Sequence, residues 1–320
     1  MSIRWPSSAS SFYSIRDPFG REIRSLRISV TQRCDLACAH CHKEGQRPAT
    51  EEMTPAEISR IVGVAAGLGV RKVKLTGGEP LMRPDITDLV RGISPLVREV
   101  SLTTNGSRLA QLAAALKRAG LSRVNVSLHS LDHRVNSRLC GRDITSQVMD
   151  GISVAVNNGL APVKVNMVVL KGQNEHEIQR MMEFCSKMGA VLQLIEYECP
   201  RESTGKLDFK ARYYPLTDVE SVLNADAINT TVNELHRRRQ YTVPANGGIV
   251  SVEVVRPMHN TEFCSNCTRM RVSSDGMLKP CLLDPEGEVD ILTPMRAGAP
   301  DEVLRELFVS AVSHRRPYWR

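Results

Sequence analysis

From Ser25 to about Glu196 the chain repeats one unit, a short β-rich run followed by an amphipathic helical stretch, about every thirty residues. No other feature limits the fold so strongly, because serial strand–helix units force a parallel sheet with helices outside it. The strand runs are "LRISVT" (26–31), "VKLTG" (73–77), "EVSLTT" (99–104), "RVNVSLH" (123–129), "VKVNMVVL" (163–170) and "VLQLIEY" (191–197). The first helix is marked at Thr54-Pro55-Ala56-Glu57, where Thr54 and Glu57 can form a capping box and Pro55 suits the first turn. Further helices are predicted over 84–97, 107–119, 145–158 and 175–188. Six right-handed units fall short of the eight that close a barrel. The expected fold is therefore α/β, a partial (β/α)6 barrel of the TIM type, with its mouth at the carboxyl ends of the strands.

The repetition stops near Pro200. Residues 200–215 read as a loop, 248–256 as a strand, "MRVSSDGMLKPCL" as a hairpin around Asp275-Gly276, and roughly 300–315 as a last helix. The expected division is an N-terminal segment (1–24), the barrel core (25–198) and a C-terminal region (199–320) lying over the open side. No run of eighteen apolar residues suggests a membrane span, and "MSIRWPSSASSFYSIRDPFG" lacks a signal-like apolar stretch, so a cytoplasmic protein is expected. The net charge of +7 fits a phosphorylated substrate or a nucleic acid, but aromatics at 4% are few for base stacking, and no nucleic-acid partner is expected. The one basic run, "HRRRQ" (His236 to Gln240), reads as a solvated surface.

Six of the nine cysteines fall in two tight groups. Cys140, Cys185 and Cys199 stand apart, and Cys185 reads as a core thiol on an apolar helical face. The first group, Cys34, Cys38 and Cys41, has the spacing C-x3-C-x2-C and directly follows the first strand, at the barrel mouth. Zinc is one reading, with His40 or His42 as a fourth ligand. A cubane iron–sulfur cluster is the other, and three thiolates then leave one iron open to a chelating small molecule. This spacing after a first strand resembles the radical S-adenosylmethionine superfamily. The resemblance implies a partial barrel, a [4Fe-4S] cluster, and S-adenosylmethionine bound through its amine and carboxylate. It also implies one-electron cleavage to a 5′-deoxyadenosyl radical that abstracts hydrogen from carbon. "TGGEP" (Thr76 to Pro80) reads on its own either as an ordinary turn or as a loop whose glycines let backbone approach a ligand; under the resemblance it holds the cofactor's amino group.

The second group, Cys264, Cys267 and Cys281, has the spacing C-x2-C-x13-C. It reads either as zinc with His259 or as a second cluster with an open iron. Arg269 and Arg271 follow at once, and two residues apart on a strand they face one way, with guanidinium forks suited to phosphate.

Together the two triplets, "LRISVTQRC", "LTGGEPLMRPDI", "LTTNG", "NVSLHSLD" and "CTRMRVSSDGMLKPCL" resemble the GTP 3′,8-cyclase family, which opens molybdenum cofactor biosynthesis, over roughly residues 17–315. That resemblance implies two [4Fe-4S] clusters and conversion of GTP to (8S)-3′,8-cyclo-7,8-dihydroguanosine 5′-triphosphate. By motif it assigns Arg27, Lys72, Lys74, Thr103, Lys164, Arg269, Met270 and Arg271 to GTP, with Arg269 and Arg271 also catalytic beside Cys34, Cys38 and Cys41. It assigns His40, Gly78, Ser127 and Glu198 to S-adenosylmethionine. It further implies a ferredoxin- or flavodoxin-type electron donor, a homodimer, and delivery of product to cyclic pyranopterin monophosphate synthase. Two departures stand out. Glu198 replaces a methionine found in the bacterial enzymes, and "RRPYWR" stands where many bacterial members have Gly-Gly, as in shorter archaeal-type members. The competing readings are a peptide-modifying maturase of the same superfamily and a non-enzymatic iron–sulfur or zinc protein that binds RNA.

Overall fold

The structure, a computed structural model, describes residues 14–49, 51–246 and 248–319. Most of the stretch read as leaderless, residues 1–13, lies outside the described residues. The six repeated strands are β1 (Ser25–Ser29), β2 (Lys72–Thr76), β3 (Glu99–Thr104), β4 (Arg123–Ser127), β5 (Lys164–Val169) and β6 (Val191–Glu196). They pair in parallel and in sequence order, as expected. Strand side chains point alternately to opposite faces. Leu26 and Ile28, Val73 and Leu75, Val124 and Val126, and Leu192 and Leu194 are all fully buried in one apolar core under the helices. Their alternates, Arg27, Lys74, Thr103, Asn125, Asn166 and Gln193, line an interior cavity. Each buried Leu, Ile or Val contributes about 1.5–3 kcal/mol, so the outer face holds the barrel together and the polar inner face is free for function.

The C-terminal region departs from the expected cover. It adds β7 (Asn229–Val232), β8 (Arg239–Ala245), β9 (Gly248–Val255), β10 (Arg269–Val272), β11 (Met277–Lys279) and β12 (Val289–Asp290). One twelve-stranded sheet results, in the order β12-β11-β10-β1-β2-β3-β4-β5-β6-β9-β8-β7. β10 joins β1 and β9 joins β6, both in parallel, so eight parallel strands curl around the interior without closing. The edges carry antiparallel strands, including the hairpin predicted around Asp275-Gly276.

The helices of the repeat are α1 (Pro55–Gly67), α2 (Ile86–Ile93), α3 (Leu109–Arg118), α4 (His133–Cys140), α5 (Thr145–Asn157) and α6 (Ile178–Met188). α1 begins with the predicted capping box, Thr54 and Glu57 exchanging side-chain-to-backbone hydrogen bonds. α4 was not expected. It is eight residues long, starts on the Asp132 cap and ends at Gly141 in the left-handed region. Nor is 200–215 a plain loop, since a short helix occupies Leu207–Arg212. The last helix, Asp301–Ser313, packs on α1. No helix among the described residues is long and apolar enough to cross a membrane.

The loop after β2 is pinned by Glu79, whose fully buried carboxylate accepts hydrogen bonds from Leu81 N (2.9 Å), Thr104 Oγ1 (2.7 Å) and Asn105 N (2.6 Å). Burial pushes its pKa up to about 7 from 4.5. The folded state then holds this proton more tightly than the unfolded chain, so stability falls as pH rises from about 4.5 to about 7. Glu79→Gln is expected to flatten that segment of the stability–pH curve, measured by urea denaturation at pH 5 and pH 7.5. Thr54→Ala, which removes the cap of α1, is expected to cost about 1 kcal/mol in the same assay.

Candidate active site

Both cysteine triplets open onto one cavity of about 340 Å³ inside the curled sheet. The first triplet sits on the loop leaving β1, and the second lies on the segment between β9 and β10 and just past β11. Arg27, His40, Lys74, Gly78, Thr103, Ser127, Glu198, Arg269 and Arg271 line the same cavity. Three expected residues do not. Lys72 is exposed at the amino end of β2. Lys164 is buried beneath the wall in an ion pair with Glu253. The Met270 side chain is fully buried in the outer core, leaving its backbone to the inner face.

The Gly-Gly of "TGGEP" is required by a close approach of backbones. Gly78 N donates to Thr31 O at 2.7 Å, and Glu79 N donates to Arg33 O at 2.7 Å. A Cβ on Gly78 would stand 2.2 Å from Arg33 O; one on Gly77, whose φ is +149°, would stand 2.4 Å from Thr31 O. The second-strand loop is thereby laid against the chain entering the first triplet.

All six triplet cysteines are free thiols. Burial pushes the Cys34, Cys41, Cys264 and Cys281 thiols up. At Cys267 burial acts the same way, but Arg315 and Arg269 hold the thiol below its ordinary value. Backbone donors point at triplet sulfurs, among them Lys43 N at Cys41 Sγ and Trp319 N at Cys264 Sγ, both 3.4 Å. Among the described residues, no three His, Cys, Asp or Glu side chains converge on a single-ion site. Three thiols facing one cavity, with backbone donors to sulfur, suit a cluster several atoms wide, and each triplet can hold one. His259, the alternative fourth ligand at the second triplet, instead packs its ring 4.3 Å from that of Trp319.

The floor of the cavity is crowded with positive charge. Glu44, buried and three residues past Cys41, takes both Arg27 and Arg271. Burial opposes its charge, yet the two guanidiniums hold its carboxyl well below the usual range. Lys43 and Glu44 both adopt positive φ, 49° and 53°, which non-glycine residues seldom do. Glu253 takes Lys164 and also Arg238, the latter at 2.8 Å. Among the described residues, two cations on the inner faces of strands have no carboxylate partner. Lys74 donates to the neutral Asn125 amide at 2.9 Å. Arg269 has a buried Nε with no hydrogen-bond partner among the described residues. Burial, and then neighbouring arginines, disfavour the charged form of both.

Several wall residues escaped the sequence reading. "HRRRQ" is a solvated surface only in part: Arg237 and Arg239 are exposed, but His236 stacks on Phe263 at 3.8 Å, and Arg238 turns inward to Glu253. The polar residue inside "VSVEVV" was the available signal for Glu253. Cys140, read as isolated, lies in the cavity wall packed against Cys38, its thiol donating to Asn136 Oδ1 at 3.7 Å. His129, just past β4, brings its Nε2 within 3.1 Å of His40 Nε2. Cys185 is a core thiol, as expected.

Comparison with known proteins agrees with this geometry. Residues 28–185 match the Radical SAM superfamily, and residues 190–320 match the Molybdenum Cofactor Synthesis C family. A probable GTP 3′,8-cyclase of Thermococcus kodakarensis is 52% identical over 95% of this chain and 99% of its own length. A counterpart from Methanothermobacter marburgensis is 44% identical over 96% of this chain and 99% of its own. Among solved structures, Streptococcus suis SuiB bound to its precursor peptide SuiA superposes with a TM-score of 0.61 at 21% identity, over 82% of this chain and 60% of SuiB, a likeness of fold alone. A chain so similar from end to end, with both cysteine triplets facing one cavity, belongs to the GTP 3′,8-cyclase family of the radical S-adenosylmethionine superfamily.

Proposed function

We propose that this protein is a radical S-adenosylmethionine lyase that converts GTP to (8S)-3′,8-cyclo-7,8-dihydroguanosine 5′-triphosphate, the first step of molybdenum cofactor biosynthesis. One observation carries the reading: among the described residues Lys74 and Arg269 are cations without a carboxylate partner, facing a cavity that both cysteine triplets share. Burying a charge without a counter-ion is strongly unfavourable. A nucleoside triphosphate brings the missing negative charge. Kinship with named GTP 3′,8-cyclases supplies the base and the reaction.

The chain's residues divide the work by position. Cys34, Cys38 and Cys41 would hold a [4Fe-4S] cluster at the mouth, with Gly78, Ser127, His40 and Glu198 around S-adenosylmethionine. That cofactor, when bound, supplies the radical that takes hydrogen from the ribose. Cys264, Cys267 and Cys281 would hold the second [4Fe-4S] cluster beside the base. Lys74, Arg269 and Arg271 would receive the phosphates, with Thr103 near the ribose and Arg27 steering through Glu44. Lys72 and Lys164, which lie off the cavity wall, would contribute field rather than contact. An electron donor of ferredoxin or flavodoxin type, a homodimer, and transfer of product to cyclic pyranopterin monophosphate synthase complete the proposal. The family matches favour this over a peptide-modifying maturase or an RNA-binding protein.

Anaerobic reconstitution tests it. About eight irons per chain are expected, from two four-iron cubanes, with 5′-deoxyadenosine released when GTP is added; four irons or fewer, or zinc, would sink the reading. Cys34→Ala should abolish cleavage of S-adenosylmethionine. Cys281→Ala should lose the cyclised product and keep some uncoupled cleavage, both followed by chromatography of the nucleosides. Arg269→Ala removes a charge-assisted contact of about 1.5–3 kcal/mol, so calorimetry should show GTP binding weakened about 10- to 100-fold.

A further inference from the structure

The two ends of the described chain meet behind the second triplet. Asp17, Arg21 and Arg315 are buried there with relative exposures of 5%, 8% and 2%. Asp17 sits in the turn before β1, and its Oδ1 accepts from Phe19 N (2.9 Å) and Arg21 N (3.0 Å). Its Oδ2 accepts from Arg21 Nε and from Arg315 Nη1, both at 2.7 Å. Each arginine then reaches a cysteine of the triplet. Arg21 Nη1 donates to Cys264 O, and Arg315 Nη2 donates to Cys267 O, both at 2.8 Å. One carboxylate thus orients two guanidiniums, and each guanidinium fixes the backbone of one cysteine.

Two features exceed what a structural tie requires. The group holds two cations against one carboxylate, and a buried excess of positive charge calls for an anion nearby. Arg21 Nη2 and Arg315 Nε are, in addition, buried donors with no partner among the described residues, and both arginines line the cavity. Buried donors are nearly always satisfied. A cubane held by thiolates is anionic and offers sulfur acceptors, and net charge and hydrogen bonds to sulfur set its reduction potential.

We propose that Asp17, Arg21 and Arg315 are positioning residues for the second cluster: they fix the backbones of Cys264 and Cys267 and turn their free guanidinium donors toward the cluster's sulfurs. The proposal rests on the two-cluster reading above. It assigns Asp17, upstream of the whole barrel, to the substrate-side cluster rather than to the cofactor-side one.

The test is an anaerobic redox titration of the reconstituted protein followed by electron paramagnetic resonance, with iron counted on the same samples. Wild type should hold about eight irons. Asp17→Asn is expected to lose the second cluster and keep the first, recognised by the response of its signal to S-adenosylmethionine. Arg315→Lys keeps a cation but loses the fork. It is expected to retain both clusters and to shift the second toward its oxidised form about tenfold at fixed potential, about 59 mV for one electron. If wild type holds two clusters and both variants keep them at unchanged potentials, the proposal is overturned, and a lowered melting temperature alone would then mark the group as a structural tie. Should wild type hold one cluster or none, the two-cluster reading falls and this proposal with it.

Discussion

The cost of keeping positive charge inside a protein governs this structure. An ordinary parallel barrel fills its interior with branched apolar side chains. Here the interior is polar, and its cations outnumber the carboxylates that could balance them. Glu44 and Glu253 each hold two cations. Among the described residues, Lys74 and Arg269 are left without such a partner. That imbalance is tolerable only because the outer face of the sheet is uninterrupted apolar core, which supplies the stability the inner face gives up.

The barrel was legible because its signals are local. Alternation of apolar and polar residues placed all six repeated strands to within about two residues, and Thr54 and Glu57 marked the start of α1. The hairpin at Asp275-Gly276 was legible for the same reason. α4 was not, because eight residues with few apolar ones give little periodic signal, and the helix depends on its Asp132 cap and on Gly141. Nor could local pattern show that β9 and β10 would extend opposite edges of one sheet, since parallel pairing between distant segments leaves no trace in either.

The cavity was half legible. Cysteine spacing and the glycine pair are carried by consecutive residues, so they survive reading in one dimension. Charge balance does not. Arg238 stands in a run that resembles any exposed basic patch, and only its partner on β9 draws it inward. Glu44 follows Cys41 without any motif of its own, and its meaning appears once Arg27 and Arg271 arrive from neighbouring strands. Cys140 likewise meets Cys38 only through the unexpected α4.

The outermost parallel strands, β9 and β10, are joined in the chain by residues 256–268, which carry Cys264 and Cys267. This connection works as a strut across the unclosed seam. Any change in the curvature of the eight strands alters the span of that strut, and with it the distance between the two triplets. Bulkier residues in the outer layer would therefore retune the reaction chamber from afar, without altering any group that faces it.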